Sequence, residues 1–220
     1  TSMPPKNVLC LKHLGLLVVN VLNETSEKEC LSFIESQNVL TIDTETAYPR
    51  FPENGAQISL MQIGTNDQVF LIQVTTARHE FLHSLSNSLH CKKLVHWGGS
   101  DENDVCRLLP ELTADWFDLQ RCLSPDKDKG ILVGLDTRME AYLQGFYSLS
   151  KEWTLSGWDL DTLHDCQIAY AALDVASCHI LYLKYKPGLD SLDMFQCHDQ
   201  KFHSFFTLSE WAARVKHGLS

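Results

Sequence analysis

The stretch VLTIDTE (residues 39–45) places two acidic residues inside an apolar run. Leu40 and Ile42 alternate with polar residues, and this period of two predicts a β-strand with one apolar face. Side chains at positions i and i+2 of a strand point to the same side of the sheet, so Asp43 and Glu45 are expected to lie side by side. The apolar residues favour a central strand, where two carboxylates repel each other and are poorly hydrated unless a cation joins them.

A hard divalent cation with oxygen ligands is the natural partner of such a pair of carboxylates. The same spacing occurs at Asp126 and Asp128 and again at Asp159 and Asp161. Those two pairs lie in polar stretches, where carboxylates are normally solvated. The apolar setting of the pair in residues 39–45 therefore makes it the candidate metal site.

The strands that follow residues 39–45 predict an antiparallel meander. Residues 57–64 (QISLMQIG) and 68–74 (QVFLIQV) are rich in apolar and β-branched residues. The sequence between them, GTND (residues 64–67), is typical of a hairpin turn. A further strand is expected earlier in the chain, at residues 15–22.

The second half of the chain alternates helices with short strands. Helices are predicted for residues 79–90, 101–109, 131–145 and 164–186, after an earlier helix that ends near residue 36, and short elements are predicted for residues 94–97 and 116–119. A meander followed by alternating helices and strands predicts an α/β fold with a mixed sheet flanked by helices. We expect one domain at residues 15–188, an N-terminal extension at 1–14 and a partly helical C-terminal extension at 189–220.

The composition excludes several classes of protein. The 220 residues are 44% hydrophobic and 21% charged, which is typical of a globular domain. The net charge of −10, from 18 basic and 28 acidic residues, differs from that of proteins that coat nucleic acid, so any such contact should be local. No run of about 18 apolar residues occurs, so no membrane contact is expected. Eight scattered cysteines and no visible signal peptide predict an intracellular protein, in the nucleus, cytoplasm or mitochondrion.

Two other acidic positions stand out. In the long helix, Tyr170 and Asp174 are four residues apart and therefore share one face. Asp101 directly follows the strand-breaking residues 98–100 (GGS) at the start of a helix, where a carboxylate is usually a cap. Asp104 competes with Asp101 for a functional role at this helix.

These motifs, taken in order, resemble those of the DEDDy 3′–5′ exonucleases of the ribonuclease H-like superfamily, in particular the ribonuclease D and Werner exonuclease group. The resemblance runs from about residue 39 to residue 185. The first motif matches LTIDTE (40–45) with the following strand ISLMQI (58–63), the second matches KLVH (93–96) with an acid after a short loop, and the third matches QIAYAALD (167–174).

The resemblance implies a ribonuclease H-like fold and a hydrolase that cleaves phosphodiesters with two ions of Mg²⁺ or Mn²⁺. It assigns Asp43, Glu45 and Asp174 to the first ion, with Asp43 bridging to the second. It assigns Asp101 to the second ion and gives Tyr170 the task of orienting the nucleophilic water.

The second motif leaves a choice between two acids. Asp101 follows His96 at the spacing found in ribonuclease D-like members, which favours it, and Asp104 is the alternative. Candidates for contact with the terminal nucleotide are Thr44, Met61, His96 and Trp97, although core packing is the commoner role for the last three.

The resemblance therefore implies a 3′–5′ exoribonuclease that acts on single-stranded 3′ ends, in RNA processing or decay, with RNA favoured over DNA. A 3′–5′ DNA exonuclease is the nearest alternative, and a phosphatase of small nucleotides is a weaker one. From another class, the chain could be a non-catalytic RNA-binding or scaffold module with an exonuclease fold. Protein partners in an RNA-processing complex are also expected, and they could help to select the substrate.

Overall fold

The central feature of the fold is a single mixed sheet. The computed structural model of the chain describes residues 7–11, 15–47, 57–99, 101–124, 131–142 and 157–186. The strands in these ranges are β1 (Asn7–Leu11), β2 (Gly15–Val21), β3 (Val39–Ala47), β4 (Gln57–Gly64), β5 (Gln68–Gln73), β6 (Lys93–His96) and β7 (Asp115–Asp118). Within the described part of the chain they form one seven-stranded sheet in the order β1-β2-β5-β4-β3-β6-β7.

The pairing confirms the predicted combination of a meander with parallel strands. β3, β4 and β5 pair antiparallel in succession, while β6 pairs parallel with β3 and β7 pairs parallel with β6. On the other side, β2 pairs parallel with β5, and β1 pairs antiparallel with β2. β1 lies within the segment predicted as an N-terminal extension, and it continues the sheet by one strand. β3 is an interior strand, as its sequence predicts.

Every helix predicted within the described ranges is present, but one of them begins late, and a short helix at residues 119–123 was not predicted. They are α1 (Glu27–Ser36), α2 (His79–Leu89), α3 (Asp101–Leu108), α4 (Leu119–Leu123), α5 (Leu135–Tyr142) and α6 (Asp165–Tyr185). The helix predicted for residues 131–145 begins only at Leu135. Val133 is held outside it because its carbonyl accepts a hydrogen bond from Gln120 and its N–H donates to Ser124. The predicted C-terminal extension, residues 189–220, lies outside the described residues.

The two faces of the sheet bury separate cores. One face packs against α6, and its core includes Leu60, Trp158 and the fully buried alanines of that helix. The other face packs against α1 and α2 and buries Leu40 and Ile42 from β3. This division determines which side chains of β3 meet α6.

α6 is the helix that completes the site. It begins at a capping box, in which the backbone N–H of His164 donates to the Gln167 side chain over 2.9 Å. By length and composition alone α6 could cross a membrane, but 83% of the apolar stretch is buried inside the molecule, as in a core helix. Ala169, Ala172 and Ala176 are fully buried. Small side chains at these positions let the helix approach the sheet closely.

Candidate active site

β3 directs a row of polar side chains toward α6. Thr41, Asp43 and Glu45 alternate along the strand with apolar residues that are buried in the opposite core. The Oγ1 atom of Thr41 lies 3.0 Å from Nδ1 of His179 on α6, and this hydrogen bond joins the strand to the helix. The register between β3 and β4 shifts between Glu45 and Thr46, an irregularity that is common in strands beside active sites.

Asp174 on α6 completes a cluster of three carboxylates. One oxygen atom from each of Asp43, Glu45 and Asp174 lies within 4.8 Å of the others. Oxygen atoms that bind one ion at about 2.0–2.6 Å are separated by no more than about twice that distance. The close spacing and the all-oxygen donor set therefore suit a hard divalent cation.

Asp101 reaches the same cluster from the first turn of α3. Its Oδ1 atom accepts two hydrogen bonds from Thr44, one from the backbone N–H at 3.1 Å and one from Oγ1 at 2.7 Å. Gly98 and Gly99, which lead from β6 to α3, have φ values of 66° and 69°. Both φ values lie in the left-handed region that favours glycine, and a Cβ atom on Gly98 would also displace the Gln120 side chain.

The two acids proposed for the second motif have different surroundings. Asp104 is as buried as Asp101, at 9% and 8% exposure, but its Oδ1 atom is 3.3 Å from Nη1 of Arg107. The charge of Asp101, in contrast, raises the pKa values of Asp43 and Asp174. The structure therefore brings Asp101 to the cluster and pairs Asp104 with a basic side chain of its own helix.

Burial raises the pKa of every carboxyl group in the cluster. It is the largest cause for Glu45, whose pKa rises to about 9, and for Asp174, whose pKa rises to about 7. Burial and then the neighbouring carboxylates raise the pKa of Asp43 well above its usual range. Burial also raises the pKa of Asp101, and the hydrogen bonds from Thr44 offset part of the effect. Such a cluster does not ionise fully at neutral pH unless a cation neutralises it.

Tyr170 lies one helical turn before Asp174 on the same face of α6. A hydrogen bond from its side chain lowers the pKa of Asp174 and so offsets part of the effect of burial. Both side chains line a cavity of about 360 Å³, together with Asp43 and Trp97. The ring of Trp158 packs against the ring of Tyr170, with 6.2 Å between centroids, and this contact helps to hold the phenol in place.

Of the four side chains predicted to contact a nucleotide, Trp97 lines this cavity. The Thr44 hydroxyl donates a hydrogen bond to the Asp101 carboxylate. Met61 is fully buried in the core of the opposite face, because it pairs with Thr44 across β3 and β4 and so points away from α6. This placement corrects the expectation for Met61.

His96 is likewise buried in the structure rather than open to the cavity. Its side chain is 4% exposed, and Nδ1 lies 3.0 Å from the carbonyl oxygen of Gly98. The ring meets Trp116 edge-on, with 5.9 Å between centroids. His96 thus supports the turn that carries Asp101.

Several residues that line the cavity were not predicted from the sequence, and two of them, Cys178 and Asp136, carry ionisable groups. Cys178 lies four residues after Asp174, a spacing that places it on the same helical face and could have indicated it. Asp136, in the first turn of α5, also lines the cavity, and its charge raises the pKa of Asp174. Residues 131–142 show no sequence pattern that would point to this position.

The mixed sheet with flanking helices is the ribonuclease H-like exonuclease fold, and it carries an acidic cluster between β3 and α6. Residues 18–190 match the sequence profile of the 3′–5′ exonuclease family. The chain therefore belongs to the 3′–5′ exonuclease family. This finding confirms the resemblance to the DEDDy-type exonucleases.

Individual relatives agree with this assignment. The chain is 25% identical over 189 residues to DNA polymerase I of Aquifex aeolicus, covering 79% of this chain and 28% of that protein. The chain thus spans about a quarter of this relative. The Nibbler EXO domain of Aedes aegypti has a similar fold, with a TM-score of 0.66 at 18% identity, over 97% of this chain and 100% of that domain. Trypanosoma brucei RNase D in complex with RNA U12 has a TM-score of 0.63 at 17% identity, over 84% of this chain and 70% of that chain.

Proposed function

We propose that the chain is a metal-dependent exoribonuclease that removes nucleotides one at a time from single-stranded RNA 3′ ends. The observation that supports this proposal is the convergence of Asp43, Glu45, Asp101 and Asp174 beside Tyr170. These side chains come from three separate elements, β3, α3 and α6, and three of them, Asp43, Tyr170 and Asp174, line one cavity.

The roles of the side chains follow from their positions and chemistry. Asp43, Glu45 and Asp174 would hold one of two divalent ions, Mg²⁺ or Mn²⁺, and Asp101 would help to hold the second beside Asp43. Ions bound in this way supply charge neutralisation at phosphorus, an activated water and a stabilised leaving oxygen. The Tyr170 hydroxyl would orient the attacking water, because it borders the cavity next to Asp174.

The cavity supports cleavage from an end rather than within a strand. Its volume of about 360 Å³ is at the lower limit of small-molecule sites, which suits a terminal nucleotide better than a folded nucleic acid. The net charge of −10 also argues against a long electrostatic footprint on nucleic acid. Protein partners that deliver the RNA belong to the same proposal, because the chain itself offers little attraction for a polyanion.

The choice of RNA over DNA rests on the relatives. The structural relative from Trypanosoma brucei is an RNase D bound to RNA U12, and another, from Escherichia coli, is described as an exoribonuclease involved in structured RNA processing. The relative from Aquifex aeolicus is a DNA polymerase I, which favours DNA as the second candidate substrate. Discrimination would require contact with the 2′-hydroxyl.

The test is degradation of matched 5′-labelled RNA and DNA oligomers of one sequence, with Mg²⁺, with Mn²⁺ and with EDTA. We expect a ladder of products shortened by one nucleotide from the 3′ end of RNA, and no products with EDTA. Faster shortening of DNA would establish the alternative substrate. Intact oligomers under all conditions, together with measurable RNA binding, would instead establish a non-catalytic binding module.

A further inference from the structure

Gln62 on β4 lies directly behind the acidic cluster. It pairs with Asp43 across β3 and β4, and Leu60, which precedes it by two residues, pairs with Glu45. Directly opposed residues in an antiparallel pair have Cβ atoms about 4.5–5.5 Å apart, and diagonal neighbours are about 7–8 Å apart, within reach of long side chains. Leu60 belongs to the core under α6, so Gln62 also faces α6. Its amide is therefore directed at the two carboxylates of β3.

The Gln62 side chain is fully buried, and no side chain or backbone group in the described part of the structure pairs with its amide. Its exposure is 0%, and among the described residues neither Oε1 nor Nε2 has a partner at hydrogen-bonding geometry. Buried amides are almost always hydrogen-bonded in native proteins, so an unpartnered one beside a functional cluster requires an explanation.

Asn20 on β2 provides a comparison within the same sheet. It is also buried, at 7% exposure, and its Nδ2 atom likewise has no hydrogen-bond partner within the described ranges of the chain. Asn20 pairs with Phe70 on β5, and its own strand, β2, lies three positions from β3 in the sheet. If an unpartnered buried amide were only a packing feature, replacing Gln62 and replacing Asn20 would have the same effect on metal binding.

We infer that Gln62 is a positioning residue, whose amide N–H donates a hydrogen bond to the Glu45 carboxylate when the cluster takes up a divalent ion. This inference rests on the proposed function only in requiring a metal at the cluster. Side chains that orient metal ligands commonly change metal affinity by about 10–100-fold when they are removed. Gln62 would act on the metal through Glu45 and without touching the substrate.

The test measures Mn²⁺ binding in the absence of nucleic acid, from the paramagnetic resonance signal of free Mn²⁺ during titration. The variants are Gln62→Met, which is apolar and similar in shape, Gln62→Leu, and the matched control Asn20→Leu. We expect the Mn²⁺ dissociation constant to rise about 10–100-fold in both Gln62 variants and to stay at the wild-type value in the control. In EDTA, Gln62→Met should melt no lower than the wild type, because it removes an unpartnered buried amide.

Equal Mn²⁺ affinity in the wild type and in whichever Gln62 variant folds would overturn the inference, and so would an equal loss in Asn20→Leu. A wild type that binds no Mn²⁺ would overturn it as well. RNA and DNA shortening is measured separately on the same preparations. A wild type that binds Mn²⁺ but shortens neither oligomer would refute the nuclease proposal and leave the result on Gln62 standing.

Discussion

The two faces of β3 follow opposite rules of packing. Leu40 and Ile42 on one face are fully buried among apolar side chains of α1 and α2. Burial of this kind contributes about 1.5–3 kcal/mol per side chain to stability. On the other face, Thr41, Asp43 and Glu45 are held under α6, where burial raises the pKa values of the acids and disfavours their charged forms.

The difference teaches that the alternation along β3 separates stability from chemistry. The apolar face holds the strand in the sheet, so the polar face can carry groups that repel one another. The fully buried alanines of α6 then allow Asp174 to come close to the acids of β3. Natural proteins commonly break the rules of stable packing at functional sites, and the rest of the fold compensates.

The largest effect should come from Asp43→Asn, which removes charge at the centre of the cluster. We expect nuclease activity to fall by at least about 10³-fold, because metal ions supply several kcal/mol of transition-state stabilisation and 1.4 kcal/mol is tenfold in rate. The melting temperature in EDTA at pH 8 should not fall, because one of several mutually repelling carboxylates is lost. Shortening of labelled RNA and calorimetry measure the two effects.

The control for this prediction comes from the opposite face of the same strand. Leu40→Met should lower stability by less than about 1.5 kcal/mol and leave activity per folded molecule unchanged, because Leu40 is buried in the opposite core and does not line the cavity. If Asp43→Asn unfolded the protein, or if Leu40→Met abolished activity, the separation of the two faces would be wrong.

The next largest effect should distinguish the two acids of α3. Asp101→Asn is expected to lower activity by about 10²–10³-fold, because it removes a charge beside Asp43 that would help to hold an ion. Asp104→Asn should leave activity nearly unchanged, because the Arg107 side chain of its ion pair is largely exposed and exposed pairs contribute about 0–1 kcal/mol. Equal losses in the two variants, measured as kcat on RNA, would contradict this assignment.

A smaller effect is expected from Tyr170→Phe, which keeps the aromatic ring and removes the hydroxyl. The rate should fall by about 10²-fold, the lower end of what a positioned proton donor or acceptor contributes. Mn²⁺ affinity should fall less than the rate, because all the carboxylates remain and only one hydrogen bond to Asp174 is lost. A large loss of Mn²⁺ affinity with a normal rate at saturating metal would instead make the tyrosine a support for Asp174.

The sequence predicts most of this fold because the decisive signals are local. The alternation in residues 39–45 indicates the central strand and its paired acids, and the four-residue spacing in α6 indicates that Tyr170 and Asp174 share a face. The placement of Met61 could not be predicted from local pattern alone. Alternation along β4 shows that the strand has two faces, but it does not show which of them α6 covers. The start of α5 depends on two hydrogen bonds of Val133, one that its carbonyl accepts from Gln120 of α4 and one that its N–H donates to Ser124, and no local pattern encodes these contacts.

The smallest effect is the pH dependence of the stability that the protein gains when it binds Mn²⁺. The folded-state pKa values of Glu45 and Asp174 are raised to about 9 and about 7, so the stability that their protonated forms contribute is present below pH 4 and is lost as pH rises through those values. Mn²⁺ competes with those protons, so it should raise the melting temperature more at pH 8 than at pH 5.5. At 100 times the dissociation constant, binding adds about 2.7 kcal/mol, or roughly 5–10 °C for a chain of this size.

The difference between Mn²⁺ and EDTA at each pH isolates this effect from other titrations. Burial lowers the pKa of His179 to about 4, so the protein also loses stability as the pH falls below 6.5, with or without metal. Glu45→Gln serves as the control and should show a smaller Mn²⁺ shift with a weaker dependence on pH. A wild-type shift of the same size at pH 5.5 and pH 8 would mean that Mn²⁺ does not displace protons from the polar face of β3.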